Sequence, residues 1–294
     1  MSKKSLTDIR VATAMATPRT NSGNIAAQVS RRLAEFCVDL KGADALVVAG
    51  TTGEAPTLTD RQQYHLFREV KTAVGDRCRL IAGTGSNETK KSVEMTARAA
   101  ELEYDAVLSV VPYYNKPPQE GLVVHFHETA DVGLPVILYN IPGRTGLNME
   151  PETVAALSNH KNIVGIKECN IVQIPRYRDL VPDDFLIYTG EDDKLIEALD
   201  LRARGVISVA SHMIGKEMAR VIEIYQENPK AAAKCMQKYD GLIDALFMTS
   251  NPIMIKAGLE MLGFNMGYIG KPLIPANPAQ HSALRREMNK LGLL

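Results

Sequence analysis

Short β-rich runs alternate with longer helical ones eight times along this chain, and that beat limits the available folds more than any other feature. The stretches Ile9–Met15, Asp44–Val48, Arg79–Ala82, Ala106–Val110, Pro135–Tyr139, Ile163–Ile166, Phe185–Tyr188 and Gly205–Ser208 read as strands. Helical patterns follow each of them, at Ile25–Lys41, Asp60–Val74, Glu88–Glu103, Gln119–Asp131, Pro151–Asn159, Ile171–Leu180, Asp192–Ala203 and Met213–Gln226, with Thr59 and Asp60 as capping candidates for the second. Strand, helix, strand in this order implies a parallel sheet, and eight units in about 230 residues have the size of a closed (β/α)8 TIM barrel. A doubly wound open sheet is the competing arrangement. After Pro229 only helical patterns remain, at Ala231–Met248, Pro252–Leu262 and Pro278–Leu291. The expected division is therefore an α/β catalytic barrel over residues 1–228 and a C-terminal helical appendage of three helices over 229–294.

A barrel gathers the residues that follow each strand at one face, where barrel enzymes keep their chemistry. The sixth strand lies in N-I-V-G-I-K-E, Asn162 to Glu168, with Lys167 at its carboxyl end. Such a lysine is either solvated just past the strand or an amine desolvated in a cleft, with a lowered pKa that lets it attack a carbonyl. After the second strand comes A-G-T-T-G-E, Ala49 to Glu54, a tight turn expected to expose the hydroxyls of Thr51 and Thr52 and several N–H groups, suited to a carboxylate. A turn stabilised by its own hydroxyls is the plainer alternative. V-P-Y-Y-N-K-P, Val111 to Pro117, follows the fourth strand and holds two tyrosines between prolines, as packing or as phenols presented to a site. Y-N-I-P-G-R-T-G, Tyr139 to Gly146, follows the fifth and places Arg144 where a guanidinium could clamp a carboxylate.

Composition removes several classes of function. Lys+Arg and Asp+Glu are both 34, so no overall charge points to nucleic acid or an anionic membrane. No run approaches about 18 uninterrupted apolar residues, and the N-terminus lacks the apolar core of a secretory signal. Cys37, Cys78, Cys169 and Cys235 are widely spaced with no C-x-x-C, which fits reduced thiols in a cytoplasmic protein. His125 and His127 are expected on the surface, and no His/carboxylate cluster has metal-ligand spacing, which disfavours a metal-dependent aldolase.

G-T-T-G-E, P-Y-Y-N-K-P, Y-N-I-P-G-R-T-G, G-I-K-E and G-V-I-S, in this order and spacing, resemble the dihydrodipicolinate synthase family of the pyruvate-dependent class I aldolase superfamily, over essentially the whole chain. The resemblance implies condensation of pyruvate with L-aspartate 4-semialdehyde, on the route to diaminopimelate and lysine, without a cofactor or metal. It puts Lys167 at the Schiff-base position and Thr51, Tyr139 and Tyr114 at the proton relay, with Tyr114 contributed across a subunit interface. Thr52 matches the pyruvate-carboxylate cradle, Arg144 the residue that holds the semialdehyde carboxylate, and Gly190 and Ile207 backbone positions lining the pocket. A homotetramer, as a dimer of dimers, is implied as well. Sugar-acid lyases share the lysine and the tyrosine of the fifth strand but usually lack R-T-G after Y-N-x-P; they and a non-catalytic keto-acid-binding barrel are the alternatives.

The sequence departs from the family at an inhibitor pocket that binds lysine in many members. Asn87 and Tyr113 are retained, whereas the pocket's histidines are replaced by Asp60 and Gln63 and its glutamate by Lys91. A cation at position 91 is expected to repel the inhibitor's ammonium, leaving feedback weak or absent. Asn170, in place of a small residue, has no functional account.

Overall fold

The computed structural model describes residues 5–294. In chain order the main elements are β1 (Val11–Ala14), α1 (Ala27–Glu35), β2 (Ala45–Val48), α2 (Asp60–Val74), β3 (Arg79–Gly83), α3 (Thr89–Glu101), β4 (Ala106–Val110), α4 (Gln119–Asp131), β5 (Val136–Asn140), α5 (Pro142–Thr145), α6 (Pro151–Ser158), β6 (Ile163–Glu168), α7 (Ile174–Leu180), β7 (Leu186–Thr189), α8 (Leu195–Asp200) and β8 (Gly205–Ser208). Beyond them lie α9 (Ser211–Glu227), α10 (Pro229–Met236), α11 (Asp240–Phe247), α12 (Ile253–Met261) and α13 (Pro278–Lys290). The strands are ordered β1 to β8 in a closed barrel. This α/β fold excludes the open sheet. The described residues form two compact units, one of residues 5–10 with Arg79–Ile207, the other of Val11–Cys78 with Ser208–Leu294.

The strands are apolar on both faces because both are covered, as parallel sheets require. An acidic residue directly before a strand latches its neighbour: Asp44 Oδ2 accepts from Val11 N at 3.1 Å, and Asp105 Oδ2 from Leu80 N at 3.0 Å. Parallel pairing of β5 with β6 sets Tyr139 beside Lys167 and Asn140 beside Glu168. The register shifts near the start, where Val136 faces Ile163 but Ile137 faces Gly165, so β6 carries one extra residue.

Helix α2 opens on Thr59, whose hydroxyl accepts from Gln62 N while its own N–H donates to Gln62 Oε1, a reciprocal cap. Thr59 is thus the cap and Asp60 lies in the first turn. Two expected helices are interrupted. The first passes into a π-helical turn at Phe36–Leu40, and the tail helix expected over Ala231–Met248 is split by a 3-10 turn at Gln237–Tyr239. On the far side of that break, a Cβ at Gly241 would lie 2.6 Å from Glu287 Oε2, so a side chain there would require the Glu287 carboxylate between α11 and α13 to swing aside. Among the described residues no helix is long and apolar enough to cross a membrane.

Candidate active site

Lys167 is inside β6, one residue from its end, and its side chain is 6% exposed. The strand is longer than the sequence pattern suggests because Lys167 and Glu168 both continue the pairing with β5 and β7. Register alone makes Tyr139 its lateral neighbour, and the Lys167 Nζ sits 4.5 Å from the centroid of the Tyr139 ring. A cation over an aromatic face is held electrostatically by about 0.5–2 kcal/mol. The solvated alternative is removed, but the expected lowering of the pKa is not met. Burial works against the ammonium, yet negative charge on Tyr139, Cys169, Asp192 and Glu191 outweighs it and holds Lys167 above its usual value. The Cys169 thiol is itself pushed well up by burial.

Gly190, in the loop after β7, is packed against this lysine. Its N–H donates to Glu168 O at 2.8 Å, and a Cβ built there would meet Cys169 Sγ at 2.3 Å and Lys167 Cε at 2.6 Å. Only glycine leaves room for the amine at this point. Ile207 is buried in β8. Arg144 is exposed on the four-residue α5, a turn that the sequence pattern shows only as a Gly/Pro-shaped loop. Tyr114 is 89% exposed in a left-handed backbone, φ +75°, and its N–H donates to Thr145 O at 3.3 Å, tying the tyrosine loop to the turn that carries Arg144.

In the other unit, the A-G-T-T-G-E turn is closed by Glu54 N donating to Thr51 O at 3.0 Å and Ala55 N to Gly50 O at 3.2 Å. Gly53 is obligatory, because a Cβ there would lie 2.8 Å from Ala49 Cα. Thr51 is half-buried, whereas Thr52 is buried rather than exposed as expected: its hydroxyl accepts from Asn251 Nδ2 at 2.8 Å. That hydroxyl keeps its own proton to donate. Glu54, also left-handed at φ +61°, anchors the turn in a buried ion cluster. Its Oε1 accepts from Lys256 Nζ at 2.8 Å, its Oε2 from Gly270 N, and Arg19 Nη1 stands 3.8 Å from Oε2. Lys256 also donates to Tyr268 O at 2.6 Å. Sequence reasoning missed these tail residues, since nothing in a helical pattern at 253–261 marks Lys256 as the partner of a residue some two hundred positions earlier.

The profile of the Dihydrodipicolinate synthetase family matches residues 8–291. The chain belongs to that family. A 4-hydroxy-tetrahydrodipicolinate synthase from Synechococcus elongatus is 46% identical over 290 residues, covering 97% of this chain and 96% of the relative. The crystal structure of DHDPS from Cyanidioschyzon merolae with lysine bound has a TM-score of 0.95 and 44% identity, over 98% of this chain and 99% of that one. A chloride-inhibited dihydrodipicolinate synthase from Acinetobacter baumannii complexed with pyruvate matches with a TM-score of 0.91 and 33% identity, over 97% and 99%.

Of the residues that the sequence reading compares with the family's lysine pocket, Asn87, Tyr113 and Lys91 lie in one unit and Asp60 and Gln63 in the other. Asn87 and Tyr113 each accept, through their carbonyls, from Asn115, at 2.7 Å and 3.0 Å, and Lys91 is half-buried on α3. Asp60 and the buried Gln63 belong to the start of α2. His125 corrects the expectation of a surface residue: it is 2% exposed, its Nδ1 lies 2.9 Å from Thr89 Oγ1, and burial pushes its pKa down to about 4. The alternation of a helical face placed it inward, and its neutral ring can be buried where a charged one could not.

Proposed function

We propose that this chain condenses pyruvate with L-aspartate 4-semialdehyde, as a Schiff-base-forming 4-hydroxy-tetrahydrodipicolinate synthase on the route to diaminopimelate and lysine. The observation that carries this reading is a buried lysine set by strand register beside Tyr139, in a chain that matches its family from residue 8 to residue 291. The barrel in this reading is of the (β/α)8 TIM type with its chemistry at the carboxyl ends of the strands.

The amine of Lys167, having given up a proton, attacks the pyruvate carbonyl; water leaves and an imine forms. The imine nitrogen then draws electrons from the neighbouring methyl, which loses a proton to give an enamine. Enamine carbon attacks the aldehyde, and the aldehyde oxygen takes up a proton. Attack of the substrate's own amine on the imine carbon closes the ring and releases Lys167. Tyr139, Thr51 and Tyr114 pass the protons, because a lone phenol with a reference pKa near 10 is a poor base. Thr52 and its turn hold the pyruvate carboxylate and Arg144 the semialdehyde carboxylate, while Gly190 and Ile207 line the pocket.

Tyr114 acts from a second subunit in a homotetramer, a role supported by its 89% exposure in a backbone conformation that bulky residues avoid. Lysine feedback is weak or absent, because Lys91 replaces the glutamate of the family's pocket and a cation at that position repels the inhibitor's ammonium; inhibition at submillimolar lysine would overturn this part. Borohydride trapping with pyruvate, read by peptide mass, followed by turnover with aspartate 4-semialdehyde, tests the whole reading. An adduct on Lys167 with turnover is expected. An adduct without turnover would transfer the chain to a related aldolase with another acceptor, and no adduct on folded protein would remove the nucleophile.

A further inference from the structure

Glu168 follows the candidate Schiff-base lysine directly, and successive side chains of a strand leave opposite faces. Its carboxylate is wholly buried behind the strand, turned away from Lys167. There it is the end point of a closed set of hydrogen bonds. Oε1 accepts from Asn170 N at 2.6 Å and Asn140 Nδ2 at 3.0 Å, and Oε2 accepts from the same Nδ2 at 3.0 Å and from the Tyr177 hydroxyl. Asn140 Oδ1 accepts from Met149 N at 3.0 Å, and its Nδ2 also donates to Asn148 Oδ1 at 3.0 Å. Asn148 Nδ2 donates to Gln173 Oε1 at 2.7 Å, and Gln173 Nε2 to the Tyr177 oxygen at 2.7 Å and to Met149 O at 3.3 Å.

The direction of every bond is determined. Each amide oxygen is already accepting, so each amide nitrogen donates onward, and Tyr177, which receives from Gln173, can only donate its single proton to Glu168. All protons of the set run toward the carboxyl and none comes from it. A carboxylate satisfies this arrangement; a carboxylic acid would carry an O–H with no acceptor among these partners.

Two register pairs therefore lie side by side. Tyr139 with Lys167 faces the chemistry, and Asn140 with Glu168 is the bonded pair behind it. Through Asn140 the same carboxylate reaches Asn148 and Met149, the segment that follows Arg144. We infer that Glu168, as an anion, is a positioning residue that holds the ends of β5 and β6 and the segment behind Arg144 in one frame, and so sets both the attacking amine and the carboxylate clamp. This rests on the function proposed above.

The test compares wild type with Glu168→Gln, Tyr177→Phe and the double variant in the full-length assembled protein. The readouts are the rate of pyruvate trapping by borohydride, kcat and KM for each substrate, and the melting temperature. Glu168→Gln places an amide N–H2 against donors and is expected to slow trapping by about 10-fold or more and to raise KM for the semialdehyde. The double variant is expected to be little worse than Glu168→Gln, because Tyr177 acts through that carboxylate. A Glu168→Gln protein that melts lower but traps pyruvate at the wild-type rate with unchanged KM would overturn the inference and leave a purely structural glutamate. Should Glu168→Gln fail to fold, Tyr177→Phe decides: slower trapping supports positioning, and wild-type trapping overturns it. If wild type itself traps no pyruvate, the proposed function falls and this inference with it, whereas a wild type that traps and turns over beside unimpaired variants defeats this inference alone.

Discussion

Replacing Lys256 with methionine isolates what the tail contributes to the threonine turn. The lysine and Glu54 side chains are 5% and 2% exposed and meet at 2.8 Å, so the substitution strips a buried carboxylate of its nearest counter-charge while conserving most of the volume. Removing one member of such a pair typically costs about 3–5 kcal/mol, because the remaining charge is left without its partner. Here Glu54 retains the Gly270 N–H and the Arg19 guanidinium at 3.8 Å, which places the cost near the lower end, about 3 kcal/mol. At roughly 2–4 °C per kcal/mol for a chain of this size, the melting temperature should fall by roughly 6–12 °C. Circular dichroism melts of Lys256→Met, Glu54→Gln and the pair together measure it. The double variant leaves only the Arg19 guanidinium without its carboxylate, and Arg19 keeps the Gly23 carbonyl and the Tyr268 ring, so a large part of the loss should be recovered. A Lys256→Met protein that melts within about 2 °C of wild type, or a double variant with the two losses simply added, would refute the reasoning that this buried pair braces the turn.

Gly190→Ala should suppress the pyruvate adduct by about 100-fold or more, since the new methyl would occupy the space of Lys167 Cε; peptide mass after borohydride reads it, and undiminished trapping would show that the loop yields. Arg144→Ala should leave imine formation intact while condensation falls about 100-fold or more, and unchanged semialdehyde turnover would remove Arg144 from substrate binding. For Glu168, burial raises the pKa from 4.5 to about 7 against the hydrogen bonds of Tyr177, Asn140, Asn170 and Gln173. The folded carboxyl is thus a weaker acid than the unfolded one, so the anion that the hydrogen-bond frame calls for is complete only above about pH 7 and forms at a cost in stability that grows as pH rises from about 4.5 through about 7. Measured as the stability of wild type relative to Glu168→Gln, the decline should approach roughly 3 kcal/mol across that window, and a flat difference would contradict it.

Much of the site was legible because its residue types clash with their surroundings. A lysine in I-V-G-I-K-E has no place in a strand apolar on both faces unless it is enclosed for a purpose, and the strand–helix beat gave the barrel. What escaped was set by distant partners. The direction of the Lys167 pKa depends on Tyr139 first and then on Cys169, Asp192 and Glu191, and the burial of Thr52 depends on Asn251. Glu168 was visible as a second charge in the same strand, but its Asn140, Asn148, Gln173 and Tyr177 partners come from three other segments and share no spacing rule. The π-helical turn at Phe36–Leu40 left no mark in the hydrophobic period.

The extra residue near the start of β6 settles a question of parity. Val136 faces Ile163 and Ile137 faces Gly165; had the count stayed even, Tyr139 would have stood opposite Ile166, and Lys167 opposite Asn140. Side chains alternate along a strand, so the one-residue offset decides which residue of β6 is the tyrosine's partner. The consequence concerns transplantation. Anyone carrying this lysine and tyrosine into another parallel scaffold must carry the upstream irregularity too, or shorten β6 by one residue, because a regular ladder with the same motif would pair the tyrosine with an isoleucine.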